Sequence, residues 1–156
     1  MSGFGKYLKT IIEQGTNEAR NDRAETVEAQ HLLLAIATEP KTVPFDTLAD
    51  AGLHYQALRA ALDREFAHSL ESAGVSIASF QMPPASIEPS RSPDLGQTAK
   101  LAIERGMKSA RRGDPEPSHL LLGILQAEVG TVPRALALAG VDRAELISRV
   151  LATLPA

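Results

Sequence analysis

Apolar positions fall on helical spacing along nearly the whole chain. Tyr7, Leu8, Ile11, Ile12 and Gly15 recur at i, i+1, i+4, i+5 and i+8, one face of an α-helix. Residues 31–38 follow as a second, almost wholly apolar helix that must stop before Pro40, because proline removes a donor and restricts the residue before it. A short third helix is predicted after Pro44, a favoured first-turn residue, ending at Gly52. Leu53, Ala57, Leu58, Ala61, Leu62, Glu65 and Phe66 mark the inner stripe of a longer fourth. Four further helices are predicted over residues 95–111, 118–127, 133–139 and 142–154, with Ser118 and Asp142 as N-caps. No alternating strand pattern with hairpin turns is present, residues 75–80 (VSIASF) being a short, isolated exception.

The second set of four repeats the first. AQHLLLAI at 29–36 returns as PSHLLLGI at 117–124, the two histidines 88 positions apart. TVPFDTLADAG (42–52) returns as TVPRALALAG (131–140), and Ala19-Arg20 returns as Ala110-Arg111, with the intervening loop three residues longer in the first copy. Length differences of that kind sit between elements, where insertion is cheap. Between the copies, QMPPASIEPSRSP (81–93) holds four prolines and three serines and reads as a partly extended linker. The expected organisation is a single all-α domain over 1–156, with repeat one at 4–73, a linker at 74–93 and repeat two at 94–154, the repeats packed about a pseudo-twofold axis. Leu32, Leu33 and Ile36, with Leu120, Leu121 and Ile124, are predicted to fill equivalent places in the core.

Composition narrows the chemistry. At 156 residues the chain can bury roughly 70% of its unfolded surface. With 44% apolar and 22% charged residues it has ordinary globular composition. A net charge of −3 and the absence of Trp argue against a general nucleic-acid binder. Having no Cys, the chain has no disulfide, thiolate metal site or cysteine nucleophile. No apolar run approaches the roughly 18 residues of a membrane span. The opening MSGFGKYLKTIIEQG lacks a signal peptide's apolar core, so a cytoplasmic location is expected. There is no G-x-x-x-x-G-K-[ST] phosphate loop and no G-x-S-x-G nucleophile motif.

Glu28-x-x-His31 and Glu116-x-x-His119 carry the one enzymatic alternative. On a helix that spacing puts both side chains on one face, as in di-iron carboxylate bundles, although such a site needs two further inward glutamates. Glu116 lies between Pro115 and Pro117, which predicts that it precedes its helix. The competing expectation is that each histidine sits in a first helical turn and hydrogen-bonds a neighbouring loop or helix end. A purely structural homodimerisation module is a third possibility. No metal or other cofactor is expected.

Two helical repeats, each built on His-Leu-Leu-Leu-x-Ile and closing on Ala-Gly-[Leu/Val], resemble the Clp N-terminal (Clp R) domain, the adaptor- and substrate-docking domain at the front of the ClpA and ClpC unfoldases. SPDLGQTAKLAIERGMKSAR (92–111) resembles the start of the family's second repeat, with Ala99-Lys100 at its Ala-Lys pair. The resemblance implies an eight-helix, non-catalytic protein- or peptide-binding module of the Clp proteolysis system, free-standing or part of a longer unfoldase. It implies peptides, adaptor proteins, Clp unfoldase or protease components, or cyclic-peptide antibiotics as partners, and neither nucleic acid nor membrane. The groove between the first helices of the two repeats would be formed by Met1, Phe4, Lys9, Ile12 and Glu13 with Leu95, Lys100 and Glu104. Relatives that bind phosphoarginine-marked substrates carry a glutamate immediately before each histidine. Here Gln30 and Ser118 stand before His31 and His119, leaving Glu28 and Glu116, two residues upstream, as the carboxylates of a vestigial pocket.

Overall fold

The repeated octet lies at the centre because it is apolar all round, and a helix of that kind has no face to give to water. In a computed structural model describing residues 3–74, 93–111 and 113–155, Leu32, Leu34, Ile36, Leu120, Leu121, Ile124 and Leu125 are fully buried. Each such side chain contributes about 1.5–3 kcal/mol by leaving water. The first copy comprises α1 (Gly3–Asn21), β1 (Thr26–Val27), α2 (Ala29–Ile36), α3 (Val43–Asp50) and α4 (Tyr55–Ser72). The second comprises β2 (Asp94–Leu95), α5 (Gln97–Ser109), α6 (Pro117–Leu125), α7 (Thr131–Leu138) and α8 (Arg143–Ala152). The fold is all-α, with these eight helices among the described residues.

Within each copy the first helix packs on the central one, α1 on α2 and α5 on α6. The second pair is closer. A Cβ on Gly123 would collide with the Ala102 carbonyl, and one on Gly106 would press on the His119 carbonyl, so glycine is required at both. In the first copy Ala35 takes the place of Gly123 and is itself fully buried.

The copies interlock. α4 lies along α7, where the Arg134 Nε donates to Glu65 Oε1 at 2.9 Å and Arg64 donates to the Leu138 carbonyl at 3.4 Å. α3 rests on α6 and α8. A parallel two-residue pairing, Thr26 with Asp94 and Val27 with Leu95, ties the loop before α2 to the segment before α5, and Gly96 N–H extends it to the Val27 carbonyl at 2.8 Å.

Several local expectations are corrected. That pairing is strand where none is expected, since two residues cannot show alternation. It occupies Leu95, so α5 starts at Gln97. Ser118 is not an N-cap. Pro117, with its preset φ, begins α6, and Glu116 is the cap. Asp142 does cap α8, accepting from Glu145 N–H at 3.2 Å. α4 starts at Tyr55 with His54 as cap, leaving Leu53 buried in the turn before it. At the far end of its stripe Phe66 is 49% exposed, while Glu65 turns inward and is held by Ser69 and Arg134. Residues 75–80 and most of the proline-rich linker lie outside the described residues.

Candidate functional site

The two histidines begin alike. Each is the third residue of its helix, and its ring Nδ1 accepts from the cap residue's backbone N–H: Glu28 to His31 at 2.9 Å, Glu116 to His119 at 2.8 Å. An imidazole that accepts at Nδ1 carries its proton on Nε2, so Nε2 is a donor in both copies. Both histidines are more than nine-tenths buried as residues. The expected first-turn role is therefore found, with the ring closing a helix end.

Beyond the caps the copies part. In the first, His31 Nε2 donates to Asp22 Oδ2 at 3.2 Å, and the other oxygen of Asp22 takes Arg59 at 3.0 Å. Arg59 also reaches Asp63 at 3.1 Å. Burial by itself would raise the Asp22 carboxyl, but the His31 bond and the Arg59 guanidinium outweigh it and hold it below its ordinary value. These groups border a cavity of about 500 Å³ that Glu28, Gln30 and Phe66 also line.

Glu28 serves the joint between copies. Its carboxylate accepts from the Thr98 hydroxyl at 2.6 Å, from Thr98 N–H at 3.1 Å and from the Thr26 hydroxyl at 2.5 Å. Ala29 N–H donates back to Thr98 Oγ1 at 2.8 Å. Gly96 leaves room for the carboxylate, which a Cβ there would overlap. Burial again works to raise this carboxyl, and the threonine hydrogen bonds prevail and lower it.

In the second copy Glu116 is exposed and Ser118 is buried, its Oγ within 3.3 Å of Thr153 Oγ1. Of Glu116, Ser118 and His119, only His119 lines the nearby cavity of about 410 Å³, together with Arg105, Lys108 and Arg111 and an apolar wall. The vestigial pocket is thus two unlike sites, acidic in one copy and basic in the other. As a metal pair Glu28 and Glu116 both sit at caps rather than within helices. Among the described residues no group of three or more His, Asp or Glu gathers to hold an ion.

The groove residues are divided as well. Leu95, Lys100 and Glu104 share an open hollow of about 530 Å³ on α5, with Ile103 and Met107 on its floor and Lys108 at its edge. No α1 residue lines it. Phe4 is buried in the core and Ile12 packs against it, while Lys9 and Glu13 are exposed. Met1 lies outside the described residues. Ile103 and Met107 were missed, though their i, i+4 spacing on a helix was the available signal. Asp22, Arg59 and Thr98 carried no local signal, since each matters only through a distant partner. Among the described residues no helix is long and apolar enough to cross a membrane.

No family model matches the chain, and no curated protein sequence matches it. Among solved structures it is similar to the crystal structure of the N-terminal domain of the caseinolytic protease associated chaperone ClpD from Arabidopsis thaliana. The two are 17% identical over 92% of this chain and 88% of that one, with a TM-score of 0.63. The fold is that of a Clp N-terminal domain.

Proposed function

We propose that this chain is a non-catalytic module that docks protein segments for the Clp proteolysis system, working in the cytoplasm as an adaptor, a competitor for adaptors or a sponge for toxic peptides. The observation that carries the reading is the likeness to a Clp chaperone's N-terminal domain across nearly the whole chain. The hollow on α5 supports it. Leu95, Ile103 and Met107 give an apolar floor, and Lys100, Glu104 and Lys108 give a charged rim. A floor of that kind holds an apolar side chain, and the rim steers its approach. Phosphoarginine recognition is weakened in this reading, because neutral Gln30 and buried Ser118 put no carboxylate immediately before the histidines, although Glu28 borders the first pocket.

The test is an amide NMR titration of the labelled protein with an unstructured apolar peptide, then with free phosphoarginine. The peptide is expected to move Leu95, Lys100 and Glu104 and to leave the α2 and α6 caps still. No movement on α5 sinks the reading.

A further inference from the structure

The unlike histidines point to a second binding site, distinct from the floor of the hollow on α5, with Lys108 bordering both. In the first copy the protein supplies its own acceptor to the buried imidazole, the carboxylate of Asp22. Eleven positions separate Arg20 from His31, and that longer loop brings Asp22 into reach. Only eight separate Arg111 from His119. No described residue gives His119 Nε2 an acceptor and its Nδ1 is already used, yet Nε2 is not shut away from solvent, although the residue as a whole is buried beside the cavity.

What surrounds that donor has the opposite charge to the first copy. Arg105, Lys108 and Arg111 line the cavity with His119, against an apolar wall that includes Leu122 and Leu151. Basic residues near the end of α5 have a simpler origin, since cations are favoured at a helix C-terminus. That origin accounts for Lys108 and Arg111 but not for an imidazole N–H beside them that lacks the acceptor its counterpart has in Asp22. Leu151 is also half exposed, with apolar surface unused by the core.

We propose that the cavity beside His119 is a carboxylate subsite that takes the free C-terminus of a peptide ending in an apolar residue. The carboxylate occupies the role that Asp22 fills for His31. His119 Nε2 donates to it, Arg105 and Arg111 give charge-assisted support, and the last side chain lies on Leu122 and Leu151. A phosphate shares the anionic chemistry but would leave the apolar wall uncovered.

The test uses the whole chain, with labelled histidine side chains and backbone amides followed by NMR. Three probes are compared: acetyl-Ala-Leu-Leu with a free carboxylate, the same peptide as its C-terminal amide, and inorganic phosphate. The acid is expected to shift the His119 ring and the Arg105 amide and to leave the His31 ring unmoved, since Asp22 already satisfies it. The amide should bind about tenfold more weakly or worse, the cost of one lost charged hydrogen bond. Arg105→Gln should remove the preference for acid over amide, and Leu151→Asn should weaken the acid without removing that preference. Both positions are at least partly exposed, and circular dichroism confirms that the variants fold. Equal binding of acid and amide, phosphate binding as tightly as the acid, His31 shifting with His119, or silence from all three probes each overturns the proposal. None of these readouts involves Leu95 or Lys100, so failure here is distinct from failure of the docking hollow.

Discussion

The two copies of one helical unit have spent the same histidine differently. In the first, the ring is locked into a network of Asp22, Arg59 and Asp63, and the cap residue Glu28 reaches across to hold the start of the other copy's first helix. In the second, the cap residue Glu116 is exposed and the ring opens on a basic cavity. The packing differs in the opposite sense. The α1–α2 pair admits the methyl of Ala35, whereas the α5–α6 pair has closed onto the bare backbone of Gly123. The first copy is joined by polar side chains and the second by close helix contact. A duplicated fold unit can therefore keep its core while its surface residues take different partners in each copy.

The sharpest way to break this comparison is at the close contact. Gly123→Ala places a Cβ against the Ala102 carbonyl, which cannot rotate away, and should cost about 3 kcal/mol. In a chain of this size that is a fall of roughly 10 °C in melting temperature. The reciprocal change, Ala35→Gly, removes a methyl and loosens the helix for about 1 kcal/mol. Equal effects in calorimetry would mean that the helix pairs are alike after all.

Removing the cross-copy bonds ranks next. Glu28→Ala leaves Thr98 N–H and two hydroxyls to find other partners and should cost about 2 kcal/mol, with Glu116→Ala near neutral. Chemical denaturation of the two variants side by side decides whether the caps are inequivalent.

The same asymmetry predicts an acid response. Glu28 and Asp22 both have folded-state carboxyls held below their ordinary values of 4.5 and 3.8. Their contribution is fully present above those values and is lost as pH falls below them through the lowered folded ones. Stability measured from pH 6 down to pH 2 should therefore decline in the wild type. The decline should be shallower in an Asp22→Asn, Glu28→Gln double variant, and a parallel decline would assign the acid response to other carboxylates.

The smallest expected effect sharpens the comparison at α3 and α7. Thr42 caps α3 through a long bond from Phe45 N–H at 3.4 Å, while α7 begins at Gly130 with no side chain to contribute. Thr42→Ala should cost about 0.5–1 kcal/mol in thermal unfolding. No change would make the two helix starts equivalent.

Much of this molecule was legible before its structure. Helical spacing, the paired octets and the Thr-Val-Pro starts determine eight helices, because burial of an apolar stripe depends on the order of residues along a single helix. Tyr7 and Ile11, Leu58 and Leu62, and Leu146 and Val150 are all buried as their i, i+4 spacing requires. The histidines' place in a first turn was legible too, since the cap lies three residues away. The rest required the tertiary structure, because it depends on what stands opposite. Gln30 and Ser118 occupy matching positions, yet one borders a cavity and the other is shut beneath Thr153. Glu28 and Glu116 share a spacing, yet only Glu28 meets a threonine 70 residues away. His31 and His119 share an octet, and the length of the loop before each decides whether a carboxylate arrives. Short-range pattern sets the elements, and long-range approach of backbone and charge sets what each copy can do.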